Sequence, residues 1–283
     1  MPHETGAEFC LDVLKQADPE RYYTCLFAPA DARPALAALY AFNLEIIRTR
    51  ELVSEPMIGE IRLQWWRDVL SGKGEGDVAS HPVAGPLLKA LADYHLPAQT
   101  LLNLIDARVF DLYDDPMPSL NDLEAYCGET SSALLQLSLF ILSRGEYYSA
   151  PDLCGHAGVA LGITALLRAF AWHSARGQIY IPQEILHRHK VTIEDLRQRR
   201  STPSILEALA EMRTIARHHL NRAREEIKPL PDGLFPIFLT LTNIEPILRS
   251  MEKKESDPFA TVIEPSRLGL LFRFWRASKA KMF

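Results

Sequence analysis

Hydrophobic residues recur at three- and four-residue steps along nearly the whole chain, and that period admits helices and little else. Asp31 followed by Pro34 reads as a helix start, with Pro in the first turn where its missing N–H costs nothing. From there Leu36, Leu39, Tyr40, Asn43, Ile46, Ile47 and Glu51 keep the helical step. Ser54 and Pro56 restart a helix that carries Ile58, Ile61, Leu63, Trp65, Trp66 and Leu70. Two adjacent Trp cannot both face one core, so one is assigned to the core and the other to a groove wall or an exposed contact. The Gly-rich polar stretch Ser71 to Pro82 reads as a loop. Helical patterns follow at about 83–94, 97–113 and 120–143, with Asp114 to Pro118 breaking the second from the third. Pro151 opens a long apolar helix through Trp172, and Thr202-Pro203 opens another to about Ile227, ended by Pro229 and Pro231-Asp232-Gly233. Two more are predicted at about 234–250 and 265–280. Residues 177–182 and 187–200 read as irregular, with one short strand-like run, Gln178 to Ile181. No repeat and no long linker interrupts this, so the chain reads as one all-α domain over 1–283.

Composition removes several classes of function. Lys and Arg total 31 against 36 Asp and Glu, a formal charge of −5, which argues against a nucleic-acid partner. No apolar run reaches the roughly 18 residues needed to span a bilayer. The stretch Met1 to Lys15 carries Glu4, Glu8 and Asp12 and no basic n-region, unlike a signal peptide. Cys10, Cys25, Cys127 and Cys154 are widely spaced, suggesting neither a zinc site nor a disulfide framework, and a reducing cytoplasm is the expected compartment. There is no P-loop, GxGxxG, GxSxG or HExxH motif.

Residue types alone offer little chemistry. Asp111 with Asp115, and Glu207 with Glu211, stand at i, i+4 spacing, which can present two oxygens to Mg²⁺ beside a diphosphate. Asp111 and Asp115 sit where a helix runs into a Pro-rich turn, however, and Glu207 and Glu211 read as a solvated face near Arg213, so both pairs are assigned to structure. His187 and His189 lie in a polar loop, and His218 and His219 adjoin Arg217; neither set has metal-ligand spacing.

A longer constellation is more specific. Ala38-Leu39-Tyr40-Ala41-Phe42, preceded by Pro29 and Arg33, resembles the first motif region of the squalene/phytoene synthase family. Asp122 to Cys127 resembles a second family stretch, and Leu167-Arg168 with Ala175-Arg176-Gly177-Gln178-Ile179-Tyr180-Ile181-Pro182 a third, in matching order over residues 20–280. The resemblance implies an isoprenoid-synthase-type helical domain around a central cavity. In the synthases of that family, two Asp-rich motifs face each other across the cavity and hold Mg²⁺ ions that neutralise a departing diphosphate.

This sequence departs from the pattern at the acids. The matching positions are Ile47, Arg48 and Glu51 in the first motif and Ala169 and His173 in the second, so one carboxylate stands where five are expected. One Glu cannot hold a cluster of divalent ions. We therefore expect no catalytic residue and no resident metal; Mg²⁺ belongs only to the alternative in which the protein is an active prenyltransferase of squalene or phytoene type. The string Gly59, Arg62, Gln64, Trp66, Arg67 and the "FN" of Phe42-Asn43 resemble the aspartate-depleted branch of the family, which includes a mitochondrial assembly factor for respiratory complex I. That resemblance implies a protein acting by binding near the inner membrane, with a respiratory complex subunit or assembly intermediate as partner. A lipid or isoprenoid carrier is a further alternative, because a synthase-like cavity is apolar.

Candidate ligand-binding residues follow from the same alignment: Arg33, Asn43, Arg48, Glu51, Arg168, His173, Arg176 and Tyr180. If the family geometry holds, Glu51 pairs with His173 across the cavity, or with Arg48 or Arg168; otherwise it reaches solvent at the cavity mouth. Arg168, Arg176 and Tyr180 either bind an anionic head group or serve structure, with Arg176-Gly177 forming a tight turn. Residues Arg267 to Phe283 carry Arg267, Arg273, Arg276, Lys279 and Lys281 with no acid, interleaved with Leu268, Leu270, Leu271, Phe272, Phe274 and Trp275. Such a helix either packs on the domain with a basic tip exposed or lies on an anionic membrane, which would make the protein cytoplasmic but peripheral to the inner membrane.

Overall fold

The periodic segments fold as helices in the computed structural model, which describes residues 6–146, 148–253, 255–260 and 263–283. Glu4, one of the acids in the N-terminal reading above, lies outside the described residues. In chain order the α-helices are α1 Gly6–Ala17, α2 Pro19–Phe27, α3 Arg33–Ile47, α4 Thr49–Leu52, α5 Pro56–Leu70, α6 Ala84–Asp93, α7 Ala98–Arg108 and α8 Leu120–Cys127. They continue as α9 Ala133–Leu142, α10 Pro151–Arg168, α11 Phe170–Ala175, α12 Gln183–Arg188, α13 Ile193–Arg197, α14 Pro203–Glu226, α15 Ile244–Met251 and α16 Arg267–Ala280. No strand occurs among the described residues. The run 178–181 forms no strand; the Met117 N–H donates to the Ile179 carbonyl, and the Met117 carbonyl accepts from the Gln183 N–H just beyond the run.

Two apolar helices form the centre. α3 buries ten consecutive or near-consecutive residues from Ala35 to Ile46 and packs on α1, α6 and α9, while α10 packs along α14. Helices apolar on most of their circumference belong in the middle of a bundle. α10 also runs hard against the turn at 127–132: a Cβ at Gly158 would lie 2.4 Å from the Ser132 backbone, and one at Gly162 2.6 Å from Cys127 Sγ. Glycine is required there by close approach rather than by conformation. Trp66 is buried with its ring edge-on to Phe42 at 4.9 Å, and Trp65 is the half-exposed partner stacked beside His81.

Several predicted helices are subdivided. The segment 97–113 ends as a 3₁₀ turn, Val109–Leu112; 120–143 contains a π-turn, Gly128–Ser132; and 234–250 begins as 3₁₀ helix, Asp232–Asn243. The helix read through Glu51 breaks at Arg48, and the one read through Trp172 breaks at Ala169. Residues 187–200, read as irregular, hold the end of α12 and all of α13, whose Thr192 and Asp195 form a reciprocal capping box.

Candidate functional site: an arginine-rimmed cavity

The helices line a partly open cavity of about 480 Å³. Its wall is apolar where α9, α10 and the 232–243 segment meet, through residues such as Leu134, Leu135, Leu161 and Ile237. Its rim is charged. Asp18 caps α2 by accepting from Arg21 N–H and pairs with the Arg21 guanidinium at 2.9 Å. Glu20 binds Arg168 at 2.6 Å and accepts from Asn243 Nδ2 at 3.1 Å; the Asn243 Oδ1 accepts in turn from Arg273 Nε at 2.9 Å. This chain ties α2, α10, the start of α15 and α16 together around the mouth.

At the inner end Arg108 reaches the cavity wall from the last turn of α7. It donates to Asp111 Oδ2 at 3.0 Å and to the Tyr126 hydroxyl at 2.6 Å. The Tyr126 and Tyr180 hydroxyls both donate to Asp111 Oδ1 at 2.7 Å, and Gln178 Nε2 donates to the Asp111 carbonyl at 2.8 Å. Burial opposes charge on Arg108, but Tyr126 and Asp111 hold it above the usual arginine range, while burial beside Asp111 drives both tyrosines far up. The cluster is thus a guanidinium–carboxylate pair clasped by two neutral phenols.

His173 lies 4.7 Å, ring to ring, from Tyr180 and 5.4 Å from Trp172. Burial pushes it down to about 4, with Asp111 opposing and Arg108 and Arg176 assisting. A histidine depressed in the folded state is neutral there but protonates in the unfolded chain below about 6.5, so its contribution to stability is complete above that pH and is lost as pH falls towards 4. Stability between pH 6.5 and 4 should therefore fall by up to about 3 kcal/mol more in the wild type than in His173→Gln, read from urea unfolding across that range.

The eight candidate residues separate. Arg168 lines the cavity, and His173 and Tyr180 sit together behind its inner end. Arg48 and Glu51 pair with each other at 3.7 Å on the outside of the α3–α4 break, which realises the Glu51–Arg48 alternative and corrects the Glu51–His173 and Glu51–Arg168 ones: both other partners are engaged elsewhere. Arg33 donates to the Ala28 carbonyl at the start of α3. Arg176 is exposed, its guanidinium 3.9 Å over the Trp172 ring, and Gly177 turns the chain at φ +79° as the tight turn required. Asn43 is buried with neither amide atom partnered in the structure. Of the matched acid positions Ile47 lines the cavity and Ala169 ends α10.

Asp111 and Asp115 do not share a face: Asp111 turns inward to Arg108 and Asp115 is exposed. Glu207 and Glu211 do not gather at Arg213, which pairs with Glu252; they hold His189 at 3.5 and 2.7 Å, and Glu211 also binds Arg188. Sequence reasoning missed Arg108, Glu20, Arg21 and Asn243. The Arg108–Asp111 i, i+3 pair and the Asp18-Pro19 cap were available signals.

Mg²⁺ does not fit these donors. Asp18, Glu20 and Asp111 each face a guanidinium, and among the described residues Glu264 stands alone at the lining and no group of three or more His, Cys, Asp or Glu is placed to hold a metal. Divalent magnesium needs several hard oxygens that are not neutralised by cations.

A helical shell of this kind around an apolar cavity defines the isoprenoid-synthase-type class. The structure of squalene synthase HpnC from Alicyclobacillus acidocaldarius superposes with a TM-score of 0.73 at 22% identity, covering 87% of this chain and 93% of that one. A dehydrosqualene synthase in complex with ligand superposes at 0.77 and 17% identity, covering 97% of each. The sequence model of the squalene/phytoene synthase family matches residues 14–278, and the chain belongs to that family. Within it, the chain is 32% identical over 272 residues to NADH dehydrogenase (ubiquinone) complex I, assembly factor 6 of Rattus norvegicus, covering 95% of this chain and 81% of the rat protein.

Proposed function

We propose that the protein acts by binding, as an assembly factor for a respiratory complex, rather than by condensing prenyl diphosphates. The observation that carries this reading is charge pairing at the cavity: Asp18, Glu20 and Asp111 are each committed to an arginine, and Glu264 is the lining acid left without one among the described residues. Metal-assisted diphosphate departure needs several free oxygen ligands around the metal, and one unpaired glutamate does not supply them. The similarity to complex I assembly factor 6 supports the choice of partner, a subunit or assembly intermediate of complex I. The apolar wall, with Arg168 and Arg267 at the rim, suits an acyl or isoprenoid chain with an anionic head as a bound ligand.

The test is complementation. Rat cells lacking their own assembly factor 6 should regain assembled complex I and NADH–ubiquinone oxidoreductase activity when the full chain is delivered to mitochondria behind a cleavable leader. Full-length, folded protein that accumulates there without restoring either would contradict the assembly role.

A further inference from the structure

The outermost helix, α16, has two apolar faces. Leu270, Phe274 and Ala277 are buried against α2 and the 232–243 segment, and Arg273 is pinned to Asn243, so the helix is packed on the domain. The opposite side carries Leu268, Leu271, Phe272 and Trp275, at i, i+3, i+4 and i+7, and these are 82, 40, 60 and 52% exposed. A helix needs only one apolar stripe to dock on its own domain. The second stripe is therefore unexplained by folding.

Charge identifies its occupant. Arg276 and Lys279 border or continue the exposed stripe and Arg267 stands at its start, all three exposed. No carboxylate of a described residue pairs with any of them, although Lys281, at the end of the helix, lies 3.9 Å from Asp232. The segment 267–283 contains no acid in a chain whose formal charge is −5. Phe272 and Trp275 stack side by side at 6.1 Å, an aromatic pair of the sort that settles at the level of lipid head groups. No helix among the described residues is long and apolar enough to cross a membrane.

We propose that the outer face of α16 is a docking surface for an anionic lipid bilayer, with Leu268, Leu271, Phe272 and Trp275 entering the interface and Arg267, Arg276 and Lys279 meeting the phosphates. Because Arg267 and Leu270 also line the cavity, docking places the cavity mouth beside the bilayer. The proposal does not depend on the assembly role, since lipid binding is read without any respiratory subunit.

Flotation of the purified full chain with phosphatidylcholine vesicles, with and without phosphatidylglycerol, tests it. Association is expected with the anionic vesicles and not with the neutral ones. The double variant Phe272→Ser, Trp275→Ser should weaken it by at least about tenfold, because two half-exposed aromatic side chains no longer enter the interface. Arg276→Gln and Lys279→Gln should each weaken it by about fivefold and flatten its salt dependence. All four positions are exposed, so the variants should keep the wild-type melting temperature. Wild-type protein that stays with the soluble fraction would overturn the proposal, as would anionic-vesicle binding that neither set of variants alters. A dimer in light scattering that Phe272→Ser, Trp275→Ser dissociates, without vesicle binding, would instead assign the face to a second copy of the chain and equally overturn it.

Discussion

Replacing Arg108 by Met should cost about 3–5 kcal/mol of folding stability, among the largest single-residue effects expected anywhere in the molecule. The side chains of Arg108 and Asp111 are only 13 and 9% exposed. With the guanidinium gone, Asp111 keeps its two phenolic donors but no counter-charge in a site that water barely reaches. The carboxylate must then be desolvated unpaired or take up a proton, and either is costly. Adding Asp111→Asn to the Met variant should recover part of the loss, because a neutral amide oxygen still accepts from Tyr126 and Tyr180 while carrying no buried charge. Urea unfolding of the two variants and the wild type reads this directly. A loss below about 1 kcal/mol for Arg108→Met would mean that the cluster is not a structural pair.

The same cluster shows what sequence could and could not reveal. The all-α architecture was legible because apolar spacing is a local property: the buried faces of α3, α10 and α14 follow the three- and four-residue steps along the chain. Asp111 is structural, as read, but its i, i+4 relation to Asp115 presumes an α-helical pitch that the segment does not keep. Residues 109–112 form a 3₁₀ turn, with three residues per turn, and the following Pro-rich loop carries Asp115 away. Glu211 was misplaced for a different reason: its partners Arg188 and His189 come from α12 and its C-terminal end, and no local pattern foretells a contact that only tertiary packing makes. The capping box of Thr192 and Asp195, by contrast, was present in the sequence as T-x-x-D and marks a helix inside a stretch whose polarity suggested a loop. The break at Ala169 has no such sign, since neither Gly nor Pro occurs there; its carbonyl simply accepts from both Trp172 and His173.

At the site, the scarcity of acids at the matched positions was legible and the placement of those positions in space was not. Ile47 at the cavity wall, the Arg48–Glu51 pair outside it and His173 behind it place four of the five positions matched to the family's acids in three separate settings. The rim acids Asp18 and Glu20 replace none of the missing carboxylates, because Arg21 and Arg168 neutralise them. On the binding role proposed above, an isoprenoid diphosphate entering this cavity meets arginines that can hold it and too few free carboxylates for the Mg²⁺ ions that would draw it away.

Holding a diphosphate and expelling it are told apart by a pyrophosphate-release assay. Purified full-length protein is incubated with farnesyl or geranylgeranyl diphosphate, Mg²⁺ and reductant, and inorganic pyrophosphate and hydrocarbon products are quantified against a control without protein. Release should be indistinguishable from that control at every Mg²⁺ concentration; protein-dependent, Mg²⁺-dependent pyrophosphate release with a C30 or C40 product would show an active prenyltransferase instead.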